Sequence, residues 1–252
     1  MMRAVAIIPA RYSSQRLPGK PLVDIGGKPM IQRVYERARR AASLNSVVVA
    51  TDDERIANAV ADFGGTAIMT SPELPSGTDR VAAAARRVHD AEIIVNVQGD
   101  EPLLVPEMID EAVAVVAGSD AVAGTLVKKI DNDAELFNPN IVKVVLSGKG
   151  ECLYFSRSPI PFGRDLAQQE WRRAHPYYKH IGLYVFRRAF LLQYAALPPT
   201  PLERAEKLEQ LRILEHGYRI SAAVTTHDSI PVDTPDDLEK VRLIYRTHHE
   251  HA

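Results

Sequence analysis

Cysteine is almost absent from this 252-residue chain, where Cys152 is the only one. A lone thiol excludes an internal disulfide and suits a reducing compartment. Net charge is almost absent too, with 31 Lys plus Arg against 32 Asp plus Glu. No bulk field draws nucleic acid or a membrane surface, so any anion site has to be local. Long hydrophobic runs are lacking, and the apolar stretch in M-M-R-A-V-A-I-I-P is too short for a membrane span or a secretion signal. The chain therefore reads as soluble and cytoplasmic. Both standard phosphate loops are missing as well. No G-x-G-x-x-G follows the first strand-like run, and Lys20 is followed by Pro21 instead of Ser or Thr. This counts against nicotinamide oxidoreductases and P-loop ATPases.

What is present is an ordinary globular composition, 46% apolar and 25% charged, in a length that suits one α/β domain with a sizeable core. Apolar runs alternate with helical patterns. Strands are expected at 3–8, 46–51, 67–69, 92–97 and 121–127, and helices at 30–42, 53–63, 79–88 and 106–117. That rhythm predicts a mostly parallel central sheet flanked by helices. From about residue 128 the pattern becomes mixed. Strands are expected at 142–146, 151–155, 181–186 and 220–224, the first two joined by the S-G-K-G hairpin turn, and helices at 206–216 and 235–248. Residues 162–178, polar and rich in Pro and Arg, take no assignment and read as a mobile loop or a dimer contact. The second half thus reads as a smaller mixed insertion, at about 128–200, within a single α/β domain.

The most informative segment is P-A-R-Y-S-S-Q-R-L-P-G-K-P at 9–21, which follows the first strand. It carries Arg11, Arg16 and Lys20, and no acidic residue precedes Asp24. Three cations on a loop at the carboxyl end of a parallel strand form a socket for a polyanion, with a nucleoside triphosphate the obvious small one. The strand at 92–97 runs into Q-G-D-E-P, which places Asp100 at the same kind of edge, suited to Mg²⁺ or to capping the next turn. In P-V-D-T-P-D-D-L, Thr234 is a natural N-cap, Pro235 suits the first helical turn, and Asp236 and Asp237 favour the helix dipole. Asp233 is left over as a second potential ligand, although spacing alone favours a structural role. P-S-G-T-D-R at 75–80 reads as a helix start whose hydroxyls and N–H groups could also meet a base or phosphate. Arg157 offers a carboxylate-matching fork, and His180 flanks the unassigned segment, yet a lone Arg or His is more often structural.

Together these segments resemble the 3-deoxy-manno-octulosonate cytidylyltransferase (CMP-Kdo synthetase) family. The resemblance rests on 9–22, A-T-D-D at 50–53, S-G-T-D-R at 76–80, N-V-Q-G-D-E-P at 96–102, N-P-N-I-V-K-V-V at 138–145, Y-F-S-R-S-P-I-P at 154–161, K-H-I-G-L-Y at 179–184, L-E-Q-L-R at 208–212 and P-V-D-T-P-D-D-L at 231–238. It implies a nucleotide-diphospho-sugar transferase-like fold and the reaction of CTP with Kdo to give CMP-Kdo and pyrophosphate, for lipopolysaccharide biosynthesis. It further implies a homodimer. Arg11, Arg16 and Lys20 would hold the triphosphate, with Lys20, Arg16 and Asp100 catalytic. Ser76, Gly77, Thr78 and Arg80 would recognise the nucleoside. Asp100 and Asp233 would bind Mg²⁺, which reverses the reading of Asp233 from spacing. Gln98, Arg157, His180, Tyr184, Glu209 and Gln210 would meet the sugar acid. A related acid, 8-amino-Kdo or sialic acid, is the alternative substrate.

Overall fold

A computed structural model of the chain describes residues 2–13 and 17–249. Arg16 therefore lies outside the described residues. The chain divides into two compact units, one formed by 1–110 with 228–252 and the other by 111–227. The elaboration expected at about 128–200 falls inside the second.

The first unit runs β1 (Ala4–Ala10), α1 (Met30–Ala38), β2 (Leu44–Thr51), α2 (Glu54–Asp62), β3 (Ala67–Met69), α3 (Gly77–Ala85) and β4 (Ile93–Asn96). The boundary between units falls within α4 (Pro106–Ala117). β1 pairs in parallel with β2 and β4, and β2 in parallel with β3, giving the order β3-β2-β1-β4. Ile7, Ile8, Val49, Ile93, Ile94 and Val95 have no exposed surface. Parallel strands covered on both faces need such continuous apolar runs. Several helix ends differ from expectation, two of them for a visible reason. α1 stops at Ala38 instead of continuing to 42, because the chain must turn into β2. Arg40 and Ala41 make i→i+3 turn bonds, and the Asp110 carboxylate accepts from the amides of Ala42 and Ser43. α3 starts two residues early, since the Ser76 hydroxyl accepts from the Asp79 amide and so caps it.

The second unit holds β5 (Ala123–Lys129), α5 (Asp133–Phe137), β6 (Lys143–Leu146), β7 (Cys152–Ser156), α6 (Trp171–Ala174), β8 (Tyr178–Arg187), α7 (Arg188–Tyr194), α8 (Pro201–Glu206), α9 (Gln210–Glu215) and β9 (Ile220–Val224). β5 is antiparallel to β8 and parallel to β9, while β6 and β7 form the expected hairpin. Of the helix expected at 206–216 only Gln210–Glu215 forms, as α9, while Glu206 ends the separate α8. Lys207 takes a left-handed φ of 56° between them, and the turn buries Leu208 and Gln210. Residues 162–178, expected to be a mobile loop or a dimer contact, are anchored within the chain at Trp171 and Tyr177. Trp171 opens α6 and packs with Ile130, Leu136 and Tyr177, and the Tyr177 hydroxyl donates to the Pro161 carbonyl. The chain then returns to the first unit as α10 (Pro235–His249), whose Leu238, Val241 and Tyr245 pack on Ile25 and Met30.

Candidate active site

In the first unit, the carboxyl ends of β1 and β4 frame a hollow of about 280 Å³. Pro9, Arg11, Ser13, Lys20, Gly77, Gln98 and Asp100 are among its lining residues. Gly99 makes this edge possible. A Cβ there would sit 2.8 Å from the Pro9 carbonyl oxygen, so only glycine lets the chain carrying Asp100 run so close to β1.

The Lys20 ammonium is the centre of the constellation. It donates to Asp100 Oδ2 at 2.6 Å and to Asp233 Oδ1 at 3.0 Å. Three segments far apart in sequence thus meet at one atom. Backbone geometry supports each. Gly19, at φ 67°, starts the short 3₁₀ turn Lys20–Leu22, and its amide donates to the Tyr12 carbonyl. The Val232 amide donates to the Asp100 carbonyl, which ties the segment before α10 to the end of β4. Thr234 and Asp237 exchange capping bonds at the start of α10, and the Asp233 amide also donates to the Asp237 carboxylate. The Lys20 side chain is 14% exposed, against 29% for Asp100 and 40% for Asp233. The carboxylates therefore keep open sides. Next to Asp100, burial first and the neighbouring Asp100 charge second push Glu101 up to about 7.

The cationic loop is braced from α2. The Arg55 guanidinium lies over the Tyr12 ring and makes a two-pronged bond to Asp53, the N-cap of α2. The sequence reading missed Tyr12 and Arg55, whose signal is an aromatic inside the loop and an arginine just past A-T-D-D. Arg11 donates to the Leu74 carbonyl. Ser76 is spent on the helix cap. Arg80 is fully buried, with its guanidinium bonded to Asp52 and Thr70. Arg80 thus positions the head of α3 from below, while Gly77 reaches the hollow.

The second unit brings His180 and Tyr184 together, with ring centroids 5.1 Å apart. A bulge in β8 does this. Thr125 pairs with Tyr184 but Leu126 with Ile181, so two residues of β8 loop out opposite one step of β5. Gly182 within a strand pattern was the available signal. Burial pushes His180 down to about 3, leaving a neutral imidazole. Tyr184 is held well above its ordinary value by burial, then by the Glu209 carboxylate and Tyr194. Arg157 belongs to a separate cluster. Its Nε donates to the Glu206 carbonyl and its Nη1 to the Pro139 carbonyl, while its amide donates to the Glu206 carboxylate. Lys143, with no exposed surface, donates to the Asn138 and Ile141 carbonyls, and so fixes the same N-P-N-I turn. Gln210 is buried at the start of α9.

Among the described residues no group of three or more His, Cys, Asp or Glu side chains converges as a metal site. Asp100 and Asp233 do converge on one cation, the Lys20 ammonium, through hard carboxylate oxygens. Two carboxylates completed by substrate oxygens and water are the arrangement Mg²⁺ favours, so the residues fit that ion.

Comparison with known proteins gives one answer. The family profile described as Cytidylyltransferase matches residues 5–220. A curated protein of Geobacter sulfurreducens named 3-deoxy-manno-octulosonate cytidylyltransferase is 57% identical over 246 residues, 95% of this chain and 98% of that protein. One of the same name from Solibacter usitatus is 51% identical over 97% of this chain and 95% of its own length. Among solved structures, CMP:2-keto-3-deoxy-manno-octonic acid synthetase complexed with CTP superposes with a TM-score of 0.91 at 45% identity, covering 98% of this chain and 99% of that one. 4-Diphosphocytidyl-2C-methyl-D-erythritol synthase of Anaerococcus prevotii shares the fold, with a TM-score of 0.63 at 10% identity over 97% of this chain and 99% of that one. The chain belongs to the cytidylyltransferase family, among the 3-deoxy-manno-octulosonate cytidylyltransferases.

Proposed function

We propose that this enzyme joins CTP to 3-deoxy-D-manno-octulosonate (Kdo), giving CMP-Kdo and pyrophosphate. The observation that carries the site assignment is the meeting of Lys20, Asp100 and Asp233 beside the cationic loop. The anomeric hydroxyl oxygen of Kdo attacks the α-phosphorus in line and gives up its proton to solvent water, and the bond from that phosphorus to the β-phosphate bridge breaks to release pyrophosphate. Such chemistry needs mainly positioning and charge neutralisation. Arg11 and Lys20 hold the triphosphate, and Arg16 completes the set from the same loop. Lys20 and Arg16 offset the charge that grows on the leaving pyrophosphate. Gly77 and Thr78, at the head of α3, meet the nucleoside, with Ser76 and Arg80 shaping that surface. Gln98, Arg157, His180, Tyr184, Glu209 and Gln210 receive the sugar acid. Asp100 and Asp233 would hold Mg²⁺, which when bound neutralises phosphate charge and orients the attacking hydroxyl.

On the same reading the protein works in the cytoplasm as a homodimer and supplies an activated sugar for lipopolysaccharide assembly. Burial pushes the Cys152 thiol up to about 12 and keeps it protonated. The test is pyrophosphate release by the purified protein with CTP, Kdo and Mg²⁺, each omitted in turn, with sialic acid replacing Kdo in a parallel arm. Release that persists without Kdo, or equal release with sialic acid, would overturn the assignment. Light scattering of the same sample tests the dimer.

A further inference from the structure

The β8 bulge wraps His180 around a single hydroxyl. Thr125 has no exposed surface, and its Oγ1 lies 3.0 Å from His180 Nε2, 3.1 Å from the Ile181 carbonyl oxygen and 2.9 Å from the Leu183 carbonyl oxygen. A hydroxyl has one hydrogen, and a carbonyl oxygen can only accept. Were that hydrogen given to Nε2, both carbonyl oxygens would face bare lone pairs at about 3 Å with no hydrogen between. Given to the carbonyls, it leaves Oγ1 free to accept from Nε2–H. The second arrangement satisfies more of the contacts inside a buried pocket, where unsatisfied oxygens are costly.

The rest of the ring's surroundings agree. Phe155 meets it edge-on at 5.3 Å and Tyr184 lies tilted at 5.1 Å. Burial keeps the imidazole neutral, so it holds one N–H. Among the described residues Nδ1 has no hydrogen-bond partner, and the residue as a whole is half-buried.

We infer that Thr125 is a positioning residue that fixes His180 as the Nε2–H tautomer and so leaves Nδ1 bare, as an acceptor for a hydroxyl of the sugar acid and not as a donor to its carboxylate. The ligand part of this inference rests on the proposed sugar-binding role of His180. The tautomer part stands on the contacts of Thr125 Oγ1 together with the burial that keeps the ring neutral. Selectivity follows from it: a bare ring nitrogen attracts a polyol O–H and repels a carboxylate oxygen, so His180 counts hydroxyls on the sugar.

The test uses the full chain labelled with ¹⁵N-histidine, with the His180 signals identified by their loss in His180→Asn. Long-range ¹H–¹⁵N correlation at neutral pH should show Nε2 protonated and Nδ1 bare. Thr125→Ser should keep that pattern, while Thr125→Val should move the ring toward a tautomer mixture. A wild-type ring protonated at Nδ1, or a Thr125→Val ring still locked at Nε2–H, would overturn the inference. In turnover, Thr125→Val should raise KM for Kdo about tenfold, the loss of roughly one hydrogen bond. KM for CTP should stay unchanged, and Thr125→Ser should restore KM for Kdo. An equal change in both KM values would mean a purely structural role. Failure to turn over Kdo at all would sink the proposed function but leave the tautomer result standing.

Discussion

The two units handle polarity in opposite ways. In the first, charges gather at an open strand edge and are only partly satisfied by one another: one ammonium serves two carboxylates that keep open sides. In the second, the polar groups around His180, Lys143 and Arg157 are neutral or largely occupied by protein partners. His180 is held uncharged, Lys143 is spent on carbonyl oxygens, and Arg157 is half spent on the main chain. A charged edge suits a substrate that brings four negative charges and a metal. Buried groups such as His180 suit a polyol, whose hydroxyls are told apart by which protein atoms donate and which accept.

The comparison breaks first at Asp100. Asp100→Asn keeps the shape but halves the carboxylate pair, and should cut turnover about 1000-fold, the several kcal/mol that metal-centred charge stabilisation supplies. Circular dichroism should show the fold intact, and near-normal Mg²⁺-dependent pyrophosphate release would refute the assignment. Lys20→Ala should lower kcat by more than about 100-fold, the scale of a lost charge-stabilising group. A rise in KM for CTP alone would mean that the loop only recruits nucleotide.

A smaller effect belongs to the second unit. In the unfolded chain His180 takes a proton near its ordinary 6.5, but in the fold only near 3. Between those values the unfolded state binds more protons, so the stability this group contributes is full above pH 6.5 and is lost as pH falls toward 3. From pH 7 to 5 the loss should be about 2 kcal/mol. Urea unfolding of the wild type and of His180→Asn at both pH values isolates it, and equal losses in the two proteins would remove His180 as the cause. The smallest effect is expected from Gly19→Ala. An alanine at φ 67° costs about 1 kcal/mol, and its methyl would touch the Tyr12 ring. The melting temperature should fall slightly while KM for CTP rises.

Much of the first unit was legible in the sequence because its signals are local. Apolar runs gave the parallel strands, and the clustering of Arg11 and Lys20 without acids marked the loop. The pairing of Asp233 with Lys20, 213 residues away in the chain, was not legible, because no local pattern encodes it. The second unit was harder. Lys207 breaks a helix through a left-handed backbone that its side chain does not advertise. The bulge around Thr125 is a property of two strands in register, visible in the sequence only as Gly182. The anchoring of 162–178 by Trp171 depends on a pocket built by Ile130 and Leu136, which periodicity cannot supply.

The bond between Lys20 and Asp233 also sets an order in time. The first unit is assembled from two stretches of chain, with the whole of 111–227 emerging between them. At about 5–20 residues per second, the ribosome delivers Asp233 roughly 10–40 seconds after Lys20. Through that interval Ile25 and Met30 wait for Val232, Leu238 and Val241 to cover them. The newborn chain can hold a cationic loop, but it cannot join Lys20 to Asp233 until the intervening unit has been made.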